Sequence, residues 1–423
     1  MAPTMLLESS ARRYGDIFRM HLYGLGDLVV ISDPALIKQV FTGNPDVYRA
    51  GEVSQLLRPI VGPNSLLLLD EPRHLRERKL ILPPFHGDRM RQYESVMSRV
   101  AAEATERWPR DEALRLQPLM AEMTLDVIIQ AVYGIEDTAE QGALREALRR
   151  LLDEGATRLA FQIPKLRRDF GPFRGWSELL ALIHRVDEMI YAEVARRRVD
   201  PHLSRRVDIL SMLLQARRED GSGLTDIELR DELVTLLTAG HETTATALSW
   251  TLDLLMHHPE AAAHAKESVE RDDDPYIDVV IREALRLRPV VPMVARRLSQ
   301  PVQLGGHELE EGMVVAPCIY LTHRRPDLYP EPERFIPERF LGHSPETYAW
   351  LPFGGGTRRC LGSSFALFEM KVMLRTILRC VNFRPVNSRP EPIGRRSITF
   401  APKRGARAIV SERRQASTSV RPS

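Results

Sequence analysis

Several stretches of this sequence carry residues whose types and spacing suit chemistry rather than packing. The first is Trp350-Leu-Pro-Phe-Gly-Gly-Gly-Thr-Arg-Arg-Cys-Leu-Gly362, an apolar run that passes through three glycines to a single thiol, Cys360. Glycine accepts backbone angles closed to other residues and lets another body approach the main chain. A helical pattern runs from Ser363 to Arg379, so Cys360 lies just ahead of a helix N-terminus. The partial positive charge and free N–H groups there, with Arg359 alongside, favour a thiolate over a thiol. A free cysteine is more often a small buried hydrophobe. A thiolate on a stripped-down loop is instead suited to ligating a large flat cofactor.

The second stretch is Ala239-Gly240-His241-Glu242-Thr243-Thr244, placed midway along the longest predicted helix. Glycine costs about 1 kcal/mol against alanine in a helix interior. A buried Glu costs more unless it is paired, and a threonine hydroxyl can bond to the preceding turn and bend the helix. Clustering all three sacrifices stability, either for a structural kink or for chemistry. A third set, Glu283 and Arg286, lies three apart on one helix, a pairing worth only tenths of a kcal/mol at a surface. His74 and Arg78 share a helix face four residues apart. No second metal ligand stands near His74.

Together these patterns resemble one family. The spacing Phe353-x-x-Gly356-x-Arg358-x-Cys360-x-Gly362 is similar to the haem-thiolate signature of the cytochrome P450 family at all five of its fixed positions. Ala239 to Thr243 resembles that family's oxygen-binding motif, small-Gly-x-acid-Thr. Glu283-x-x-Arg286, followed by Phe335-x-Pro337-Glu-Arg339-Phe340, resembles its buried Glu–Arg–Arg triad. The resemblance implies that Cys360 is the metal ligand of haem b (iron protoporphyrin IX), with Phe353, Gly354, Gly362 and Ala239 also lining the cofactor. It implies that Gly240 leaves room for dioxygen, that Thr243 hydrogen-bonds it, and that Glu242 relays protons. Glu283, Arg286 and Arg339 would form a structural triad fixing the proline-punctuated run from Pro326 to Pro352. His74, Arg78, Arg296 and Arg358 would hold the two haem propionates. Arg297 offers the same charge one residue from Arg296 and leaves that register open.

The elements that must position these groups read as mostly α with a minor β-region, in the cytochrome P450 fold that the resemblance implies. One large domain is expected over residues 1–411. The tail, 412–423, is polar and basic and is expected to be disordered. Residues 17–22 and 28–31 read as a strand pair, and Asp33-Pro34 opens a helix to about Thr42. Almost nothing precedes the strand pair, where family members carry a proline-rich segment. Residues 50–69 are loop-like. Residues 90–220 read as amphipathic helices, broken by a mobile crossing at 155–175. Arg196 to Arg198 and Arg205-Arg206 read as a solvated face, because acidic residues are interspersed. Thr225-Asp-Ile-Glu228 is a capping box with a Leu224–Leu229 staple. The helix it opens should run to His257-His258, about 32 residues or roughly 48 Å.

Composition narrows the function classes. The chain has 423 residues, 43% apolar and 27% charged, and its net charge of +2 gives no footprint for nucleic acid. Its three cysteines form no paired framework, which fits a reducing, cytoplasmic setting. No apolar stretch reaches transmembrane length. The family resemblance then implies a monooxygenase that uses dioxygen and two electrons to hydroxylate or epoxidise a hydrophobic small molecule such as a fatty acid, terpenoid or steroid. Electrons would come from separate proteins, a ferredoxin with its reductase, docking near basic Lys79, Arg89 and Arg359. Pocket-facing candidates are 52–69, 155–175, Leu236, Ala239, 290–294 and 395–398, nearly all aliphatic. Arg158, Lys165 or Arg395 could hold a carboxylate. A non-catalytic gas sensor or haem carrier would need neither Glu242 nor Thr243, and a haem-thiolate isomerase or peroxygenase typically departs from that pair.

Overall fold

The capping box at Thr225 closes as its sequence requires. Its side chain accepts from the Glu228 amide, and Glu228 accepts in return from the Thr225 amide at 2.9 Å. In the computed structural model this starts a helix of 31 residues, Asp226–Met256, that crosses the largest core. It ends where His258 turns its ring back to lie 2.7 Å from the Leu254 carbonyl, just before Pro259. The structure describes residues 3–22, 26–85, 87–134, 139–155, 167–169, 175–271 and 275–413.

In chain order the helices are α1 (Pro3–Tyr14), α2 (Pro34–Thr42), α3 (Arg58–Val61), α4 (Arg73–Ile81), α5 (Glu94–Arg107), α6 (Leu116–Tyr133) and α7 (Ala139–Gly155). They continue as α8 (Gly175–Arg198), α9 (Ile209–Gln215), α10 (Asp226–Met256), α11 (Pro259–Glu270), α12 (Pro275–Leu287), α13 (Ile319–Thr322) and α14 (Ser363–Cys380). A mixed five-stranded sheet has the order β1 (Ile17–Leu22), β2 (Gly26–Ile31), β8 (Val314–Pro317), β5 (Arg296–Leu298), β3 (Tyr48–Arg49). The smaller sheets are β4 (Ala113–Arg115) with β12 (Arg407–Arg413) and β9 (Val381–Pro385), β6 (Val302–Leu304) with β7 (His307–Leu309), and β10 (Ile393–Arg396) with β11 (Thr399–Pro402). The fold is therefore mostly α with small sheets, as expected.

Several details depart from the sequence reading. Helix α1 was not anticipated; Leu7 anchors it in a cluster with Phe18, Leu28 and Val30. The 50–69 segment is less loop-like than expected, containing a 3-10 turn at Glu52–Leu57 and then α3. Strand β12 runs to Arg413, pairing there with Val381, two residues beyond the expected domain end; the rest of the tail lies outside the described residues. Most of 155–175, with Arg158 and Lys165, also lies outside them, between the end of α7 and the start of α8. The arginine run of α8 is not uniformly solvated. Arg197 is fully buried, donating to Asp208 at 2.7 Å, to Glu193 at 2.7 Å, to Ser211 Oγ and to the Tyr133 carbonyl. A periodic basic face conceals such a residue, because Glu193 and Asp208 look like ordinary surface charges until the Tyr133 carbonyl of α6 packs over them.

What positions the cysteine loop is a buried carboxylate. Glu283 accepts two bonds from Arg286, at 2.7 and 2.9 Å, one from Arg339 Nε at 3.1 Å and one from the Ile336 amide at 2.9 Å. Arg286 in turn donates to the carbonyls of His323, Pro332 and Arg334 at 2.7–3.0 Å. One guanidinium thus gathers a run with almost no regular structure of its own. Removing the carboxylate strands two arginines, one of them completely buried. Glu283→Ala should cost about 3–5 kcal/mol. It should give mostly insoluble, cofactor-free protein when soluble yield and cofactor content are compared with the unsubstituted chain.

Candidate functional site

The cysteine loop takes its shape from α2. Gly354 and Gly356 have φ of +67° and +65°, the left-handed region that favours glycine. A Cβ on Gly356 would come within 2.1 Å of the Phe41 carbonyl oxygen, and one on Gly355 within 2.5 Å of the Phe41 ring. The second and third glycines are therefore required by packing against α2. Around Gly354 and Gly362 an added Cβ would meet nothing within 4 Å. The loop closes through Gly354 N–H to the Leu351 carbonyl and Cys360 N–H to the Phe353 carbonyl, both at 2.9 Å. Helix α14 then begins at Ser363 with Gly362 at its cap.

The Cys360 thiol is exposed, yet burial is the largest influence on its acidity and pushes it up. The two facts agree if the sulfur opens onto a space walled by protein rather than onto bulk solvent. The Gly362 N–H, Arg78 and Arg359 pull the pKa back down, as the helix-terminus argument anticipated, but they do not outweigh desolvation. That corrects the expectation of an intrinsically favoured thiolate. Metal coordination is what deprotonates a thiol outright in such a setting.

Helix α10 opens onto a space as well. Its residues are buried from Leu229 to Thr235 and again from Thr244 to Leu255. Between those runs Leu236, Ala239, Gly240 and Thr243 are partly accessible, at spacings of three, four and seven, which is one helix face. With Thr238 and Glu242, which are also partly accessible, these groups leave the helix uncovered midway between two buried runs. Leu67, half-buried Val291, Met293 and Val294, and exposed Ile398 are further accessible apolar groups from the segments expected to face a pocket. Arg395 instead bonds to Ser397 of its own hairpin. A Cβ on Gly240 would meet Ile128 of α6 at 3.4 Å, an ordinary van der Waals contact, so packing against α6 does not by itself require glycine there. Thr243 Oγ1 donates to the Ala239 carbonyl at 2.7 Å, and the Glu242 carboxylate meets Arg396 of β10 at 3.0 Å.

Four cationic or titratable groups converge from distant elements. Strand alternation turns the two arginines to opposite faces: Arg296 is buried, while Arg297 turns to the Gly312 carbonyl and Glu52. Among the described residues Arg296 donates only to its neighbour's carbonyl, and it lies 5.6 Å over the Phe41 ring; burial and nearby Arg358 push its pKa down to about 10. Burial also lowers the pKa of half-buried Arg78, which has no carboxylate ion pair among the described residues. Arg358 pairs with Asp70 at 2.9 Å, and buried His74 lies 2.9 Å from Glu71, with burial and then Arg358 pushing its pKa down. Buried cations lacking carboxylate partners are costly. Arg78 and Arg296 together fit a cofactor that brings two carboxylates of its own.

Sequence reasoning missed four groups here. Asp70 accepts from the amides of Ala50, Gly51 and Glu52 as well as from Arg358, shaping the wall before α3. Arg396 holds Glu242. Glu369 on α14 is buried beside the Thr244 hydroxyl of α10 and has its pKa pushed well up by burial. His323 lies beneath the loop. None belongs to a local motif; each acts across more than forty residues or through backbone groups, so no spacing announced it. Of the basic surface candidates, Lys79 and Arg359 are exposed. The Arg89 side chain lies outside the described residues.

Comparison with known proteins gives a consistent result. A sequence model of the family described as cytochrome P450 matches residues 1–406. "Putative cytochrome P450 135B1" of Mycobacterium tuberculosis is 43% identical over 418 residues, spanning 97% of this chain and 88% of the relative. Among solved structures, the haem domain of cytochrome P450DA superposes with a TM-score of 0.85 at 26% identity, covering 98% of this chain and 93% of that one. Retinoic acid-bound cyanobacterial CYP120A1 gives 0.82 at 27% identity, covering 96% and 93%.

The unpaired arginines yield a prediction of opposite signs. Arg296→Met removes a buried charge, so the cofactor-free protein should gain about 1 kcal/mol in thermal unfolding. The haem-loaded protein should lose its cofactor to an acceptor protein about tenfold faster, through loss of a charge-assisted hydrogen bond.

Proposed function

The chain belongs to the cytochrome P450 family, and from that premise we propose that it hydroxylates or epoxidises a hydrophobic small molecule with electrons from separate redox proteins. Haem is the family's cofactor, and monooxygenation is the activity the family implies. The observation that carries the reading is the pairing of an accessible cysteine thiol with two arginines, half-buried Arg78 and buried Arg296, that have no carboxylate partner among the described residues. Those groups lie in one fold with a helix that is open only midway along its length. Haem held by Cys360, with its propionates on Arg78, Arg296, Arg358 and His74, supplies dioxygen reduction and oxygen insertion when bound.

The chain's own residues do the rest. The reaction joins a C–H bond, dioxygen, two electrons and two protons into an alcohol and water, so protons must reach a site otherwise lined by apolar groups. Thr243 Oγ1 stands on the open face of α10 and can exchange its Ala239 bond for one into the cavity. Glu242 lies beside it, with Arg396, a third of whose side chain is exposed, at its other end. That pair leads from solvent to Thr243, a path along which a carboxyl group can pass protons. The accessible Leu236, Leu67, Val291, Met293, Val294 and Ile398 side chains suit an aliphatic or terpenoid substrate, held by shape and desolvation. The exposed Lys79 and Arg359 near the cysteine side suit an acidic electron donor such as a ferredoxin.

Two measurements test this. Purified protein should contain one haem b, and its ferrous–carbonyl complex should show the red-shifted thiolate band. Cys360→His should move that band to the histidine-ligated position. A persistent thiolate band would transfer the role to Cys318 or Cys380, both buried. A lipid, terpenoid and steroid panel screened for Soret shifts then identifies the substrate class.

Thr243→Ala should keep haem content, carbonyl spectrum and substrate binding, yet convert NADPH consumption largely into peroxide. Glu242→Ala should slow turnover with less peroxide. Unchanged product per NADPH in the threonine variant would move the proton relay to another group.

A further inference from the structure

His323 immediately follows α13, is fully buried, and belongs to none of the motifs that carry the chemistry. Its ring is bonded on both sides to main chain. Nε2 lies 2.7 Å from the Leu351 amide nitrogen. An amide N–H can only donate, so Nε2 is the unprotonated acceptor. The ring proton must then sit on Nδ1, 3.1 Å from the Arg286 carbonyl oxygen, to which it donates. One neutral tautomer satisfies both contacts. Burial and the neighbouring Arg286 guanidinium push the ring's pKa down to about 3, so it stays neutral.

The two contacts join the helix that carries Arg286 to the start of the cysteine loop through one side chain. Arg286 meets residue 323 twice: its side chain donates to the His323 carbonyl at 2.7 Å, and its own carbonyl accepts from the His323 ring. Beyond the ring, Leu351 passes the connection on, its carbonyl accepting from Gly354 N–H. The Phe353 carbonyl then accepts from Cys360 N–H. Flanking residues are pinned to the same support. The Ala349 carbonyl accepts from Tyr329 Oη at 3.1 Å, and Trp350 Nε1 donates to the Arg282 carbonyl at 3.1 Å.

We propose that His323 is the positioning residue that couples the Glu283–Arg286–Arg339 network to the cysteine loop, with its Nε2 setting the place of Leu351 and hence the height of Cys360. This rests on Cys360 being the haem ligand. Leu351 is buried, so without an acceptor its N–H would go unpaired, and a buried orphan donor is relieved by local movement. The movement would be felt at Phe353 and then at the cysteine amide. A ring that merely fills space beside Tyr329, 6.3 Å away and nearly perpendicular, would do none of this. Any apolar side chain of similar volume would then serve equally well.

The test uses full-length haem-loaded protein and two variants. His323→Gln places an amide oxygen where Nε2 stands and keeps the acceptor; His323→Leu keeps the bulk and removes it. The unsubstituted protein must first show the thiolate carbonyl band, since its absence would sink the haem-thiolate reading rather than this one. Given that band, His323→Gln should retain it. His323→Leu should bind haem but show at least half of its carbonyl signal in the form lacking thiolate ligation. Hydrogen exchange at Leu351 should be about tenfold faster in the leucine variant, equivalent to about 1.4 kcal/mol. A leucine variant with unchanged spectrum and exchange, or two variants equally impaired, would overturn the proposal. Should the leucine variant not fold, nitrogen NMR of the ring in the diamagnetic ferrous–carbonyl form decides. The proposal requires the Nδ1–H tautomer, and an Nε2–H tautomer would overturn it.

Discussion

A single buried carboxylate, Glu283, holds the functional half of this molecule in register. Between α13 and α14, residues 323–362 contain only short 3-10 turns, so the ordinary means of fixing a backbone are missing there. Glu283 replaces them by binding Arg286, Arg339 and the Ile336 amide at once, and Arg286 extends its reach to three more carbonyls. Such a network is favourable only if its members are satisfied together. Here all four bonds to the carboxylate are short, while Arg339 Nη2 lacks a partner at its edge. The aromatic groups repeat the pattern, with Arg286 lying 5.0 Å over the Tyr329 ring and Arg282 5.9 Å over Trp350.

The site above this support is built in deficit. Arg78 and Arg296 are desolvated without carboxylate partners among the described residues, Cys360 is a desolvated thiol, and α10 leaves one face uncovered where its neighbours on both sides are buried. Each feature costs folding free energy in the protein alone. A ligand that carries two carboxylates, a metal and a large apolar surface offsets all three at once, and by mass action stabilises the fold that binds it.

Helix α10 shows how a long element tolerates this. Thr235, Thr238, Thr243, Thr244, Ser249 and Thr251 each return a hydroxyl bond to the carbonyl four residues back. Their polar groups thereby have a partner within the buried helix itself, and Thr235 meets Ser65 Oγ in addition. At 243 and 244 the hydroxyls also have access to groups beyond their own helix, the cavity for one and Glu369 for the other.

The sequence by itself determined the local chemistry and the local elements. The thiol behind a glycine run, the acid–threonine pair midway along a capped helix, and the spacing of Glu283 and Arg286 are all contained within a few residues. The capping box depends only on a side chain and an amide three positions apart, which is why its helix closed where expected. What only the tertiary structure decided was direction and partnership. It turned Arg296 inward and Arg297 outward, because a strand must alternate its faces. It showed that Gly355 and Gly356 answer to Phe41, buried Arg197 in a run that looked solvated, and set Arg396 against Glu242. It also raised the Cys360 thiol by burial where a helix terminus alone would have lowered it. These outcomes depend on which surfaces meet and how much water they exclude, and distances across hundreds of residues leave no periodicity in a chain to read.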